Sequence, residues 1–308
     1  MSNRPFNAIA VIGAGTMGAH IALQCAAHGY AVKLYSRSEA TLARAAQVHE
    51  KELGKRIAAK QISDEEKREI LGRIATSTRL ADALAGADLV IENAPEQLDV
   101  KRALFAEFER QCAPETVFAT NSSSFRISLI EDAAKRPGQV LNMHFYQPVW
   151  QRAIVELMRG SATSDATMER AKRFVRAIGL APLIVRKEST GFLFNRVWRA
   201  IKKECLHLVD DGVASFEDVD RAWMVVMGTP AGPFALMDVV GLDVVRDIEM
   251  VYYRESGDES DAPPKLLLDK IARGELGMKT GKGFYSYPNP AYRAPGWLKG
   301  EAEEGGSK

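Results

Sequence analysis

Short apolar runs alternate with longer stretches of helical spacing along the first part of the chain. Residues 8–12 and 31–35 are apolar runs of strand length, and residues 16–29 between them have helical spacing that ends at a glycine. The units ADLVIENA and TVFATNSSS repeat the strand-and-turn pattern on either side of a helical stretch at about 98–112. This alternation predicts an α/β fold with a doubly wound, Rossmann-type parallel sheet.

The pattern changes after Pro137. QVLNMHFY and RAIVELM are apolar strand runs joined by a short loop, and a helix at 165–178 followed by the strand APLIVRK completes the first domain. From Ser189 onward the strand runs stop, and two long stretches of helical spacing each end at a glycine. We therefore predict a Rossmann-type domain over residues 1–188, an all-helical carboxy-terminal domain over 189–300 and a disordered tail over 301–308.

The composition excludes several classes of protein. A chain of 308 residues with 46% hydrophobic content can form two domains with apolar cores, and its formal net charge of +1 gives no basic footprint for nucleic acid. No apolar run approaches the roughly 20 residues that cross a bilayer, and the start MSNRPFNAIAVIG lacks the form of a signal peptide. Three scattered cysteines form neither a disulfide framework nor a metal spacing: Cys25, Cys112 and Cys205. We expect a cytoplasmic protein that binds no metal.

A glycine-rich turn follows the first predicted strand. The motif Gly13-x-Gly15-x-x-Gly18 is weak evidence by itself, but here a strand enters it, a helix leaves it and a second strand follows. In that context Gly13 permits the tight turn, Gly15 lets a pyrophosphate approach the backbone, and Gly18 allows close packing of helix on strand. The helix amino terminus also offers free N–H groups to phosphates. We therefore predict a dinucleotide site, with a purely structural turn as the alternative.

The second predicted strand ends in Tyr35-Ser36-Arg37, without the carboxylate that accepts hydrogen bonds from a ribose in many such sites. That carboxylate would repel a 2′-phosphate, whereas the Ser36 hydroxyl and the Arg37 guanidinium can both bind one. We therefore expect NADP(H) in preference to NAD(H). In the alternative interpretation Arg37 is a solvated loop residue, and the site binds NAD(H) with a weaker ribose contact.

Two polar residues interrupt the apolar strand runs that follow Pro137. Glu156 lies inside AIVELM, where an isolated carboxylate is costly unless it has a cationic or hydrogen-bonding partner. His144 lies inside VLNMHF, the preceding strand run, and is the natural partner. A His–Glu pair fixes the imidazole tautomer and raises the basicity of the other nitrogen, as a general base requires. A structural buried ion pair is the alternative.

Two further polar features are weaker evidence. Asn195 lies about one turn into the predicted helix GFLFNRVW, too late for a cap, where its amide could orient a substrate carbonyl or bond a neighbouring backbone group. NSSS, at residues 121–124, closes a strand of the predicted parallel sheet. Ligands bind beyond such strand ends, although a run of small hydroxyl residues can also form an ordinary turn or cap.

Taken together, these motifs resemble the 3-hydroxyacyl-CoA dehydrogenase family over about residues 7–287. The resemblance rests on the order and spacing of VIGAGTMG, ADLVIENAPEQLDVKRALF, TNSSS, HF-x-x-P with VE following, TGFLFNR, GTPAGPFALMDVVGLD and GKGFYSY. It implies an oxidoreductase of fatty acid metabolism that transfers a hydride reversibly between a nicotinamide cofactor and the 3-hydroxy or 3-keto carbon of an acyl-CoA. It also implies a homodimer formed through the helical second domain, with the apolar faces of residues 190–245 partly between subunits.

The resemblance assigns roles to particular residues. It implies a catalytic pair of His144 and Glu156, with Ser123 and Asn195 polarising the substrate oxygen. In oxidation His144 takes the hydroxyl proton, and Glu156 steadies the imidazolium. The resemblance also places Glu96, Lys101 and Asn121 beside the nicotinamide half of the cofactor. The other predicted cofactor-binding residues are those of the glycine turn and of the end of the second strand: Gly13, Gly15, Thr16, Met17, Gly18, Ser36 and Arg37.

The loop after His144 departs from the family pattern. Acyl-CoA enzymes usually have Asn at the Gln147 position, and here Trp150, Gln151 and Arg152 make the loop bulkier and more polar. The same Val-Trp step occurs in diketoreductase-like members, so the runner-up function is reduction of a non-CoA 3-keto or 3,5-diketo acid or ester. One basic helix face could meet a CoA phosphate or be merely solvated: Lys51, Lys55, Arg56 and Lys60.

Two other readings of the glycine motif are less favoured. A cofactor-binding structural protein without catalysis, as abundant lens proteins of the family can be, does not need the intact set of Ser123, His144, Glu156 and Asn195. Decarboxylating hydroxyacid dehydrogenases share the opening motif, but they use a lysine four residues before the helix asparagine. That position is Gly191 in this chain.

Overall fold

The computed structural model describes residues 4–301 and divides them into two units, which are treated separately below. The first unit extends to Leu193 and the second begins at Phe194, so the segment from Ser189 to Leu193 belongs with the first unit. Of the tail predicted to be disordered, Glu301 forms a turn, and residues 302–308 lie outside the described residues.

The first unit is built on one eight-stranded sheet in the order β3-β2-β1-β4-β5-β6-β7-β8. The strands are β1 Ala8–Ile12, β2 Ala31–Tyr35, β3 Ile74–Ser77, β4 Leu89–Glu92, β5 Val117–Thr120, β6 Val140–Phe145, β7 Ile154–Arg159 and β8 Ala181–Val185. Every neighbouring pair is parallel except β6 and β7. The loop between those two strands is too short for the crossover that a parallel pair requires, so β7 returns antiparallel. The predicted fold class is confirmed, with this one antiparallel pair as an addition.

Helices cover both faces of this sheet. They are α1 Thr16–Ala27, α2 Glu39–Ala58, α3 Asp64–Gly72, α4 Leu80–Leu84, α5 Leu98–Gln111 and α6 Asp165–Ala177. Alternate residues of β1 enter different cores, because Ile9 and Val11 pack in one apolar cluster and Ala10 and Ile12 pack in the other. A strand buried on both faces is what the uninterrupted apolar run AIAVI predicts.

The strand order places a topological switch point at β1. The chain runs outward from β1 through β2 to β3, then returns to place β4 on the other side of β1. In sheets of this kind the crevice beyond the carboxyl ends of the two central strands is where ligands bind. The turn after β1 therefore lies where a cofactor would bind.

The second unit is helical, as predicted. Its helices are α7 Phe194–Asp210, α8 Phe216–Met227, α9 Pro233–Val240, α10 Leu242–Ser256 and α11 Lys265–Ala272. Across residues 4–301, no helix is both long and apolar enough to span a membrane.

Two buried aspartates join the helices of the second unit to the GKGFYSY segment. Asp220 accepts hydrogen bonds from the backbone N–H groups at the start of α9 and from the Tyr285 hydroxyl. Asp238 accepts from the N–H groups of Phe284 and Tyr285 and from the Tyr287 hydroxyl. Burial raises the pKa of Asp220 to about 6, although its three donors act in the opposite direction. This motif therefore has a structural role, in which buried carboxylates satisfy backbone donors.

Candidate active site

The glycine turn between β1 and α1 has the backbone geometry that its sequence predicts. Gly13 has a φ of +106°, which favours glycine, and a Cβ on Gly18 would lie only 1.7 Å from the Gly13 carbonyl oxygen. A Cβ on Gly15, by contrast, would meet no atom within 4 Å. Gly13 and Gly18 are thus required by the fold itself, whereas Gly15 faces open space, where its lack of a side chain lets a ligand approach the backbone.

The amino terminus of α1 lies at this turn and is open. Gly15 is the cap residue, no side chain caps the helix, and its first turn holds no acidic residue. Thr16 is exposed and Met17 is half-buried. Uncapped N–H groups and the positive end of a 12-residue helix dipole suit an anion. These features fit the pyrophosphate of a dinucleotide, as the sequence predicts.

The ribose-reading position lies beside the glycine turn, since the Gly13 N–H donates to the Tyr35 carbonyl at the end of β2. Ser36 is half-buried, and its hydroxyl accepts from the Ser38 N–H. Arg37 is exposed. The residues at this strand end therefore offer a hydroxyl and a guanidinium, and no carboxylate.

A second arginine, Arg79, lies near this position and was missed by the sequence analysis. β2 and β3 are parallel, with Tyr35 opposite Ser77, so Arg37 and Arg79 each lie two residues beyond the end of adjacent strands. The Arg79 side chain is 79% exposed, and its Nε lies 3.6 Å from Asp82, a surface pair of little strength. The sequence analysis missed Arg79 because it did not predict β3, a four-residue edge strand that the apolar pattern does not reveal.

Lys101, predicted beside the nicotinamide, lies inside a buried ion-pair network. Its Nζ is 2.9 and 3.0 Å from the two oxygens of Glu92 and 3.1 Å from Glu96, and its side chain is 1% exposed. Thr120 donates a further hydrogen bond of 2.6 Å to Glu92. The lysine charge is therefore balanced within the protein, and its geometry suits holding Glu96 in place.

Glu96 connects this network to the NSSS segment. The Ser122 hydroxyl and both the N–H and the hydroxyl of Ser124 donate to the same Glu96 oxygen. Burial acts to raise the pKa of Glu96, but the Lys101 charge and the serine hydrogen bonds outweigh it, so the pKa lies below its ordinary value. Ser123, between the two serines, is exposed. Of the three serines, it is therefore the one available to a ligand.

Asn121 ties the ends of two strands together. Its Oδ1 accepts a hydrogen bond of 2.8 Å from the Phe145 N–H at the end of β6, and the residue is half-buried. This bond fixes the segment that follows β5 against the strand that carries His144. The predicted contact of Asn121 with the cofactor stays a prediction.

His144 and Glu156 form the pair that the sequence predicts. They lie directly opposite each other on β6 and β7, and the imidazole Nδ1 is 3.0 Å from Glu156 Oε2. Glu156 is fully buried and His144 is 5% exposed. Because Glu156 engages Nδ1, Nε2 is left as the nitrogen available to a substrate.

Glu156 has two other donors that the sequence analysis did not predict. The Tyr146 hydroxyl lies 2.9 Å from Oε2, and the Leu193 N–H lies 3.0 Å from Oε1. The rings of Tyr146 and Phe192 lie 4.5 and 5.0 Å from the imidazole, measured between centroids. Tyr146 follows His144 by two residues, and that spacing puts both side chains on one side of extended backbone.

Trp150, in the loop that departs from the family pattern, is anchored by two side chains. Its ring centroid lies 4.6 Å from that of His20 on α1, and the Arg56 guanidinium lies 5.5 Å from the indole centroid. Burial lowers the pKa of His20, which favours the neutral imidazole. Trp150 thus has a defined position against α1 and α2.

Asn195 lies in the second unit, and one detail of its prediction was wrong. The helix begins at Phe194, after Gly191 and Phe192 with φ values of +73° and +56°. Asn195 is therefore in the first turn of α7, and not a turn further in, as the sequence analysis expected. It is half-buried, and its predicted contact with the substrate oxygen stays a prediction.

Across residues 4–301, no group of three or more His, Cys, Asp or Glu side chains is arranged to hold a metal ion.

Comparisons with known proteins find the same family across both units. The "3-hydroxyacyl-CoA dehydrogenase, NAD binding domain" matches residues 8–189, and the C-terminal domain of that family matches residues 191–287. The chain is 36% identical over 279 residues to a 3-hydroxybutyryl-CoA dehydrogenase of Clostridioides difficile, covering 91% of this chain and 99% of the relative.

Two solved structures are similar to the chain. The (S)-3-hydroxybutyryl-CoA dehydrogenase of Ralstonia eutropha has a TM-score of 0.87 at 33% identity and covers 92% of this chain and 100% of its own. A diketoreductase has a TM-score of 0.79 at 31% identity and covers 93% of this chain and 100% of its own. The likeness is thus stronger to the former.

Proposed function

The chain belongs to the 3-hydroxyacyl-CoA dehydrogenase family, and from that premise we propose that it interconverts 3-hydroxyacyl-CoA and 3-ketoacyl-CoA with a nicotinamide cofactor. The observation that carries the proposal is the buried His144–Glu156 pair. It lies near the carboxyl end of β6, at the edge of the sheet where β1 ends in the glycine turn. A dinucleotide cradle and a general acid–base pair at one sheet edge are what a dehydrogenase requires.

The pair supports a proton transfer coupled to the redox step. When bound, the nicotinamide supplies or accepts the hydride. In oxidation His144 Nε2 takes the hydroxyl proton, and Glu156 stabilises the imidazolium through Nδ1; in reduction the same proton returns to the oxygen. The family resemblance assigns Ser123 and Asn195 the polarisation of the substrate oxygen.

Acetoacetyl-CoA is the substrate that tests the proposal. We expect the chain to oxidise NADPH or NADH in its presence, followed as loss of absorbance of the reduced nicotinamide, and to reduce the oxidised cofactor with 3-hydroxybutyryl-CoA. Without the acyl-CoA the consumption should fall to background. The absence of turnover with both cofactors would contradict the proposed function.

A non-CoA keto compound is the second candidate substrate, favoured by the anchored Trp150 and the structural likeness to the diketoreductase. A bulky side chain held against α1 and α2 suits a smaller substrate than an acyl-CoA. Comparing kcat/KM for acetoacetyl-CoA with that for an acetoacetate ester separates the two candidates. A thioester preference supports the first.

NADP(H) is the cofactor that we propose over NAD(H), although the family domain that matches residues 8–189 is described as an NAD binding domain. Ser36, Arg37 and Arg79 support the proposal, because they place a hydroxyl and two guanidinium groups beyond the ends of β2 and β3. A 2′-phosphate needs such donors. The nearest acidic residue along the chain is Glu39, which begins α2 and is separated from Arg37 by the cap residue Ser38.

The cytoplasmic location predicted from the sequence also stays a prediction.

A homodimer through the second unit is the assembly that we propose. The helices of that unit leave several large apolar side chains exposed, above all Val197, Val225, Val226, Met227 and Val239, at 58 to 80%. An apolar groove of about 320 Å³ is lined by Trp198, Ile201, Trp223 and Leu236, among others. Exposed apolar side chains and an apolar groove are typical of protein interfaces.

Val226→Lys is expected to convert the dimer to a monomer, because an 80% exposed valine at an apolar interface would be replaced by a charge without a partner. Light scattering coupled to size-exclusion chromatography measures the mass. Val251→Lys, at a valine beyond residue 245 that is 41% exposed, is the matched control and should remain dimeric. A parent chain that elutes as a monomer at micromolar concentration would contradict the assembly.

A further inference from the structure

We infer that Tyr146 is a positioning residue that holds the Glu156 carboxylate and limits how strongly that carboxylate stabilises protonated His144. Its catalytic meaning rests on the proposed function. The inference itself rests on the hydrogen bonds of the pair. Glu156 Oε2 accepts from both the His144 Nδ1–H and the Tyr146 hydroxyl, at 3.0 and 2.9 Å.

A hydrogen bond from the backbone adds to these two and helps to fix the orientation of the carboxylate. The Leu193 N–H donates to Oε1 at 3.0 Å, while the two side-chain donors share Oε2. Glu156 is fully buried, so these hydrogen bonds replace the hydration that an ionised carboxylate loses on burial. A tyrosine hydroxyl whose ring also packs 4.5 Å from the imidazole restrains both members of the pair at once.

Sharing one oxygen has a chemical consequence. A hydrogen bond donated to a carboxylate stabilises its negative charge and makes it a weaker acceptor for the next donor. The Tyr146 hydroxyl therefore reduces the attraction of Oε2 for an imidazolium at His144. Removing the hydroxyl strengthens the bond to the imidazole, and the protonated ring persists to higher pH.

The neighbours of the pair in the first unit come from the loop after β6, from β8 and from the segment before α7. Tyr146 and, through its charge, Arg152 approach from the loop after β6. β8 places the apolar Leu183 opposite Glu156, and the segment before α7 contributes the Leu193 N–H and the Phe192 ring. Burial raises the pKa of Tyr146, and the Glu156 charge raises it further. The hydroxyl thus remains a donor throughout the neutral range.

Tyr146→Phe keeps the ring and removes the hydroxyl. In the oxidation direction His144 must be neutral, so kcat/KM falls as the pH drops. We expect the acid limb of that profile to move to higher pH by about half a unit to one unit, with KM for the cofactor unchanged. The matched control is Tyr253→Phe, which removes a tyrosine hydroxyl bonded to Glu259 on the surface and should leave the profile in place.

Proton NMR of the ring of His144 in the enzyme without substrate gives a readout independent of turnover. The signal is assigned by its loss in His144→Gln, and its titration midpoint should rise in Tyr146→Phe by the same amount as the kinetic limb. A midpoint that shifts in a protein with no turnover would sustain the inference while the proposed function fails. An unchanged midpoint, or a loss of kcat that is equal at every pH, would overturn the inference.

Discussion

His144→Gln is expected to lower kcat by about a thousandfold in both directions of the reaction. The variant removes the nitrogen that takes and returns the substrate proton, while a neutral side chain of similar size preserves the packing between Tyr146 and Phe192. Cofactor affinity should stay within about twofold, because the glycine turn and the strand ends that we propose as the cofactor site are untouched. Steady-state rates with acetoacetyl-CoA and fluorescence titration of the reduced cofactor measure the two quantities separately.

His207→Gln is the matched control, since His207 lies in the last turn of α7, in the second unit. It should keep parental rates. If His144→Gln retained full turnover, the general acid–base assignment would be wrong. If both the parent and the variant bound cofactor without turning over any keto substrate, the non-catalytic reading of the family resemblance would be favoured.

Most of the fold follows from local sequence patterns. The apolar runs of β1, β2, β4 and β5 and the turns that follow them determine a doubly wound sheet, because each pattern is satisfied within one strand–helix unit. β3 could not be found in this way, since a four-residue edge strand is only half-buried and carries no apolar run. The direction of β7 likewise depends on its connection to β6 and not on its own residues.

The candidate site was predictable where a buried charge interrupts an apolar strand. Glu156 lies inside the apolar run AIVELM, and a buried carboxylate requires a partner. His144, inside the preceding run VLNMHF, could therefore be predicted as that partner. Glu92 inside ADLVIENA carries the same signal, which was overlooked, and its partner proves to be Lys101 at 2.9 Å. Tyr146 carries no such signal. Its hydroxyl meets Glu156 only because two strands pair, so the contact required the structure.

The combined Ser36→Asp and Arg37→Ala variant is expected to change the preference for NADPH over NADH by a factor of about a thousand. Loss of a charge-assisted hydrogen bond to the 2′-phosphate weakens NADPH by about tenfold to a hundredfold. The new carboxylate repels the phosphate and accepts hydrogen bonds from the hydroxyls of an NADH ribose. Dissociation constants for both reduced cofactors, measured without substrate by calorimetry, keep this test independent of the substrate assignment.

The single variants separate phosphate recognition from general damage to the site. Arg37→Ala should weaken NADPH alone, and Arg79→Ala should weaken it less, because Asp82 already lies 3.6 Å from Arg79. Arg176→Ala, at an exposed arginine in the last turn of α6, is the control and should alter neither constant. Equal weakening of NADPH and NADH by Arg37→Ala would mean that this guanidinium does not read the phosphate. Tighter binding of NADH than NADPH by the parent chain would assign the site to NAD(H), with Arg37 as a solvated loop residue.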